Sequence, residues 1–133
     1  MNIALLALGL ILIFLSAVFH VYVFVLESLT WRMPKTWKTF GLPSQEHADI
    51  IRPIAFNQGF YNLFLAVGAL VGVALLGTSV TIAVTLMMFT ALCMMGAGVV
   101  LFFSLPTSRG AALVQGIPPL FAVLFLVLAL VSR

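Results

Sequence analysis

Four stretches of this chain, residues 3–26, 57–76, 81–103 and 111–131, are almost wholly apolar. Each has the roughly 20 residues that a helix needs to cross the hydrocarbon core of a bilayer. No water is available there to satisfy peptide groups, so a spanning segment is either a helix or a strand of a closed barrel. The period-two alternation of barrel strands is absent, which selects helices. The expected fold is therefore all-α, a transmembrane four-helix up-and-down bundle forming one integral membrane domain over residues 1–133. Its spans are set at about 3–27, 55–76, 80–104 and 111–131, with an amphipathic connection over 28–54. Only 7% of the residues are charged and 64% are hydrophobic, against about 25% charged in soluble domains. Membrane lipids are thus the main partner, and a homo-oligomer is compatible with so apolar a surface.

The first run lacks the basic leader, the short apolar stretch of about 7 to 15 residues and the small-residue cleavage site of a secretory signal, so it is expected to be retained. Cys93 is the single cysteine, which excludes chemistry that needs a cysteine pair. The cations are one-sided. Arg32, Lys35, Lys38 and Arg52 lie between the first two runs and Arg109 between the last two, whereas the segment 77–79 carries none. The positive-inside bias predicts that these connections face the cytoplasm of a bacterial inner membrane, with both termini outside. No long Lys/Arg cluster occurs, so no nucleic-acid partner is expected.

In the 28–54 connection, Trp31, Trp37 and Phe40 alternate with basic residues, a mixture suited to the headgroup layer. Ser44 is an expected N-cap of a short polar helix through "QEHADII", and Pro53 marks its end or a kink into the second span. The third span, with "LMMF" and "CMMGAG", offers soft fillers and small residues and reads as packing.

The polar residues of the spans follow a pattern. His20 and Glu27 are seven apart, which puts them about 20° apart around one helix with ~10 Å of rise between them; Gly9, Ser16 and Trp31 continue that stripe. In the second span Asn57, Gln58, Tyr61 and Asn62 cover an arc of about 140°, and Gly68, Ala69 and Gly72 fall within it further along. Gly68 and Gly72 make a G-x-x-x-G, a spacing that lets a neighbouring helix come close. The expectation is that this whole face meets protein and that Phe60, Leu63, Phe64, Val67, Leu70 and Val71 meet lipid. In the fourth span Gln115 stands about a turn and a half inside. Pro118 and Pro119 lack amide protons, freeing the carbonyls of Val114 and Gln115. Combined with topology, this predicts that His20, Glu27, Asn57, Gln58, Tyr61, Asn62, Arg109 and Gln115 converge on one polar pocket in the cytoplasmic half, open inward or sideways.

The segments "HVYVFVLESLTW" (20–31), "FGL" (40–42), "NQGFYNLFLAVG" (57–68) and "VQGIP" (114–118) resemble the small bacterial four-span family catalogued as domain of unknown function thirteen-oh-four. The likeness runs nearly end to end. It implies a four-helix integral membrane protein of unassigned activity and carries no catalytic residue to this chain. Phe19 and Phe56 depart from the family's pattern of a carboxylate before the histidine and small residues before the N-Q-G.

Buried amides commonly do no more than bond across helices, and Tyr61 and Trp31 also suit an interfacial anchoring role. A carboxylate in or just beneath the apolar layer is by default a functional hypothesis. Glu27 and His20 are accordingly the candidate proton-transfer pair, with Asn57, Gln58, Tyr61, Asn62, Gln115 and Trp31 as candidate ligand-binding residues. Hard ions call for more carboxylates and zinc for more His or Cys, so no metal site is assigned; no particular cofactor is indicated. Three functions stay open: binding of a lipophilic or amphiphilic small molecule with proton transfer on it, proton-coupled export, and a structural subunit of a membrane complex.

Overall fold

The computed structural model describes residues 2–132. Five α-helices account for most of them: α1 (Ile3–Phe24), α2 (Pro34–Thr39), α3 (Gln45–Ala74), α4 (Val80–Ser104) and α5 (Arg109–Val131). Four are long and apolar enough to cross a bilayer, α1 being extended to Leu29 by a π-helical turn. The chain is all-α, a transmembrane four-helix bundle. α1 packs against α3 and α5, and α4 packs against the same two, so that α1 and α4 stand diagonally opposed. Short turns impose this order, since 75–79 and 105–108 each reverse the chain within a few residues.

Small residues make the centre. Ala17, Ala66, Ala69, Ala83, Ala91 and Ala122 are buried together with Ile13, Met87, Met94 and Leu126. Lipid tails are as apolar as leucine, so large side chains gain little by turning inward, and close backbone approach supplies the packing. The glycines confirm the closeness. A Cβ on Gly72 would lie 2.8 Å from Met87 Cγ and 3.0 Å from the Ala83 carbonyl oxygen, and one on Gly68 would lie 2.9 Å from Thr90 Cγ2. The G-x-x-x-G of α3 thus seats α4.

Of the two outcomes expected at Pro53, a helix end or a kink, α3 does not show the helix end. The polar segment and the second span are one uninterrupted 30-residue helix with Pro53 inside it. Ser44 caps it, its Oγ accepting the His47 amide at 3.3 Å. Proline removes the amide that would have bonded the Asp49 carbonyl. Asp49 and Pro53 are both on the exposed surface, where solvent or headgroups can take that carbonyl.

The 30–44 connection folds onto the start of α3 as a second small core. Trp31 and Trp37 are each only 5% exposed, packed with Ala48 and Ala55 against Phe40, Leu42 and Ile51. The Trp31 indole N–H donates to the Ala48 carbonyl at 2.8 Å and that of Trp37 to Gln45 Oε1 at 3.1 Å. Gly41, at φ 76°, makes the turn after α2 that brings Leu42 back over Trp37. The two tryptophans therefore hold the connection to α3, where the sequence pattern had suggested rings laid out in the headgroup layer. Burial wins because both indole N–H groups find protein acceptors.

Candidate functional site

Glu27 is placed by three local features. The first is the π-helical turn Val25–Leu29, closed by the Thr30 amide bonding to the Val25 carbonyl at 2.9 Å. Such turns insert a residue into the helical register, re-aim the side chains around them and occur often at functional sites. The second is Gly59, at the heart of "NQGFYN". A Cβ there would overlap Ser28 Oγ and stand 3.1 Å from Glu27 Cβ. Only glycine lets the end of α1 lie this close to α3. The third is Ser28, whose hydroxyl donates to the Phe56 carbonyl at 2.9 Å and fixes the two backbones together.

Across this junction Asn62 Nδ2 donates to Glu27 Oε2 at 3.0 Å and to the Gln58 carbonyl at 3.1 Å. Both amide protons are engaged, so the side chain is held in one orientation, its own carbonyl having no donor among the described residues. Glu27 and Asn62 are half-buried, and Glu27 Oε1 has no hydrogen-bond partner among the described residues. Counting from Ile3, Glu27 comes ~36 Å along the helix, beyond a hydrocarbon core of about 30 Å. The helix is thus long enough to carry the carboxylate to the edge of such a layer, at the end of the bundle that bears the 30–44 connection.

The remaining candidates lie elsewhere around that end. Asn57, Gln58 and Tyr61 are exposed on α3, Tyr61 by 59%. Gly68 and Gly72, on the same helical arc, are covered by α4, whereas the turn bearing Asn57 and Tyr61 is not. The inward residues of this first half are Ala55, Gly59 and Ala66, with Asn62 at their edge. One helical face thus changes from covered to exposed along its length, because α3 meets α1 at Gly59 and α4 at Gly68 and Gly72. Phe60, expected toward lipid, is partly covered and lies edge-on to Phe24 of α1 at 5.2 Å. Gln115 is half-buried on α5. Arg109 is exposed and turns back on α4, its Nε donating to the Phe102 carbonyl at 3.3 Å. The indole of Trp31 is committed to Ala48.

His20 is 1% exposed, and its Nδ1 donates to the Ser16 carbonyl at 2.8 Å. Its Nε2 is buried without a hydrogen-bond partner. Of the eight polar residues expected to converge, the geometry joins Glu27 to Asn62 and leaves Asn57, Gln58 and Tyr61 outward beside them. Two concavities of ~230 and ~400 Å³ lie against Phe102 and against Arg52 respectively, and neither is lined by Glu27 or Asn62. Among the described residues no group of three or more His, Cys, Asp or Glu side chains is placed to hold a metal ion. Gly59 and Ser28 were not among the candidates expected from the sequence. Their signal was available in a glycine directly after two amides and three residues before a third, and in a hydroxyl directly after the first span's carboxylate.

The fold and this junction define a class: a small integral membrane four-helix bundle with a carboxylate–amide pair tying its first two spans at the end that carries the 30–44 connection. A family described as protein of unknown function (DUF1304) matches residues 14–127, and the chain belongs to that family. No curated protein and no solved structure matches the chain.

Proposed function

We propose that the protein binds an amphiphilic small molecule whose hydrogen-bond-donating head meets Glu27 while its tail lies among the spans. The observation that carries this reading is the half-buried Glu27 carboxylate, with one oxygen bonded to Asn62 at 3.0 Å and the other without a donor among the described residues. A half-buried carboxylate at the end of a span carries a solvation cost, which makes it a functional hypothesis by default. Asn62, fixed through the Gln58 carbonyl, orients the carboxylate, and the exposed Asn57, Gln58 and Tyr61 add polar contacts on the side from which a molecule in the bilayer would arrive. Proton transfer by Glu27, with His20 about 10 Å deeper on the same helix, belongs to the same reading. Proton-coupled export is the weaker alternative, because Glu27 stands near one end of its span and not at the midplane where transporter sites form. A structural role, in which the Glu27–Asn62 bond ties the two spans together, is the second reading.

The test is thermal unfolding of the purified protein in mild detergent with a long-chain alkylamine, alkanol or alkanoate. The amine and alkanol should raise Tm with concentration, as ligands of the folded state do. That rise should vanish in Glu27→Gln and Asn62→Leu. Equal stabilisation by the alkanoate, or shifts indifferent to both substitutions, would refute the reading.

The placement of Arg32, Lys35, Lys38, Arg52 and Arg109 at one end of the bundle supports a cytoplasmic position for that end. In a Cys93→Ser background, a membrane-impermeant thiol reagent applied to intact bacteria should label Gly77→Cys and spare Lys38→Cys; the reverse pattern would invert the topology.

A further inference from the structure

The groove between α4 and α5 has so far no role. Its walls include Met95, Val99 and Phe102 on α4 and Leu113, Ile117 and Leu120 on α5, and its volume is ~230 Å³. Every lining side chain is apolar. Val99, Leu113 and Ile117 are 52%, 46% and 43% exposed, so the groove opens outward along two membrane spans. It extends about 10 Å between the levels of Leu120 and Leu113. At the end nearer the 105–108 turn stands Arg109. Its guanidinium carbon lies 4.9 Å from the centre of the Phe102 ring, and its Nε donates to the Phe102 carbonyl at 3.3 Å. Phe102 is itself a wall of the groove, so the cation, which does not line the groove, is held one side chain away from it. A guanidinium has five N–H donors in a fork suited to phosphate. Here one is used, and the four on the terminal nitrogens have no partner among the described residues.

We propose that this groove is a binding site for a phospholipid of net negative headgroup charge, one acyl chain lying between α4 and α5 and the phosphate meeting Arg109. Hydrocarbon already surrounds the groove, and an apolar slot ending at a cation with unused donors is complementary to an anionic lipid along its whole length. A second copy of the chain fits less well, because it would fill the slot and leave Arg109 without a counter-charge. The site shares no residue with the Glu27–Asn62 junction, and the two proposals stand or fall separately.

Native mass spectrometry of the intact protein, equilibrated with equimolar phosphatidylglycerol and phosphatidylcholine of identical chains, tests this directly. Phosphatidylglycerol should be retained in preference by about five- to tenfold, the scale expected of one arginine near an anionic headgroup. Arg109→Gln should bring the two lipids to parity. Val99→Trp should strip both, Ile117→Trp on the opposite wall serving if that variant does not fold. Phe14→Trp, on a distant lipid-facing surface of α1, should change nothing, and Glu27→Gln should leave the preference intact. The proposal is overturned by equal retention of the two lipids, by a preference that survives Arg109→Gln, by lipid occupancy that survives a tryptophan in the groove, or by a dimer that the same tryptophan dissolves.

Discussion

Two glycines face each other where α4 and α5 meet, and they should respond oppositely to the same substitution. A Cβ on Gly98 would lie 3.0 Å from Gly116 Cα, 3.1 Å from Gly116 N and 3.1 Å from the Ala112 carbonyl oxygen, all backbone atoms of the other helix. A Cβ on Gly116 would find Gly98 Cα at 3.7 Å and the Met95 carbonyl oxygen at 3.9 Å, ordinary contact distances. Each Gly→Ala change gains up to ~1 kcal/mol in helix propensity, and that gain cancels between the two variants. What remains is overpacking at Gly98, where α5 must shift as a body because no flexible side chain can yield; such insertions cost about 1–3 kcal/mol. Gly116→Ala should therefore match or exceed the parent in stability, and Gly98→Ala should fall below Gly116→Ala by ~1–3 kcal/mol. Reversible unfolding in mixed micelles of increasing SDS fraction, followed by circular dichroism, reads the difference. Equal stabilities for the two variants, or a loss at Gly116 as large as that at Gly98, would refute the packing geometry.

Three further outcomes can be read by the same unfolding measurement. In a double-mutant cycle of Glu27→Gln and Asn62→Leu the coupling should be about 0.6–1.7 kcal/mol, the range for hydrogen bonds between membrane helices; strict additivity would mean that the 3.0 Å bond does not hold the spans together. Trp31→Phe keeps a ring against Phe40 but loses the bond to Ala48, so it should lower stability by roughly 1 kcal/mol and speed amide exchange in the first turns of α3; unchanged exchange would place the connection off the helix. His20→Leu removes a buried Nε2 that has no partner, so it should leave stability unchanged or raise it by up to ~2 kcal/mol. A loss above ~1 kcal/mol would mean that a bound molecule or water satisfies that nitrogen.

Much of the fold was legible because hydrocarbon leaves so few solutions. Runs of apolar residues fixed the number of spans, and short turns fixed their antiparallel order. The G-x-x-x-G of α3 was readable as a close approach, and it seats α4. The connection was harder. Trp31 and Trp37 have the same composition signal whether they lie among headgroups or beneath the chain, and what decides is the pair of acceptors, the Ala48 carbonyl and Gln45 Oε1, that only the folded connection presents. Pro53 was legible only as a helix end or a kink, and the helix runs through it. A proline ends a helix when its freed carbonyl has no other partner, and here that carbonyl belongs to Asp49 on the exposed side.

The site was only partly legible because a helical wheel assigns one direction to a face over its full length. Asn57 and Tyr61 share an arc with Gly68 and Gly72, but a helix packed between two neighbours meets α1 at Gly59 and α4 at the later glycines, leaving the arc uncovered near Tyr61. The residue that joins Glu27 is Asn62, on the edge of the α1-facing row set by Ala55, Gly59 and Ala66. What makes the pairing possible is the absence of a side chain at Gly59 and the extra residue in the turn Val25–Leu29. Neither is visible as a polar residue, so a search for polar residues finds the carboxylate and the amide without the reason they meet. The same logic separates His20 from Glu27: seven residues put both on one stripe, but the π-helical turn intervenes, and one ends sealed among the spans while the other is half-buried against Asn62.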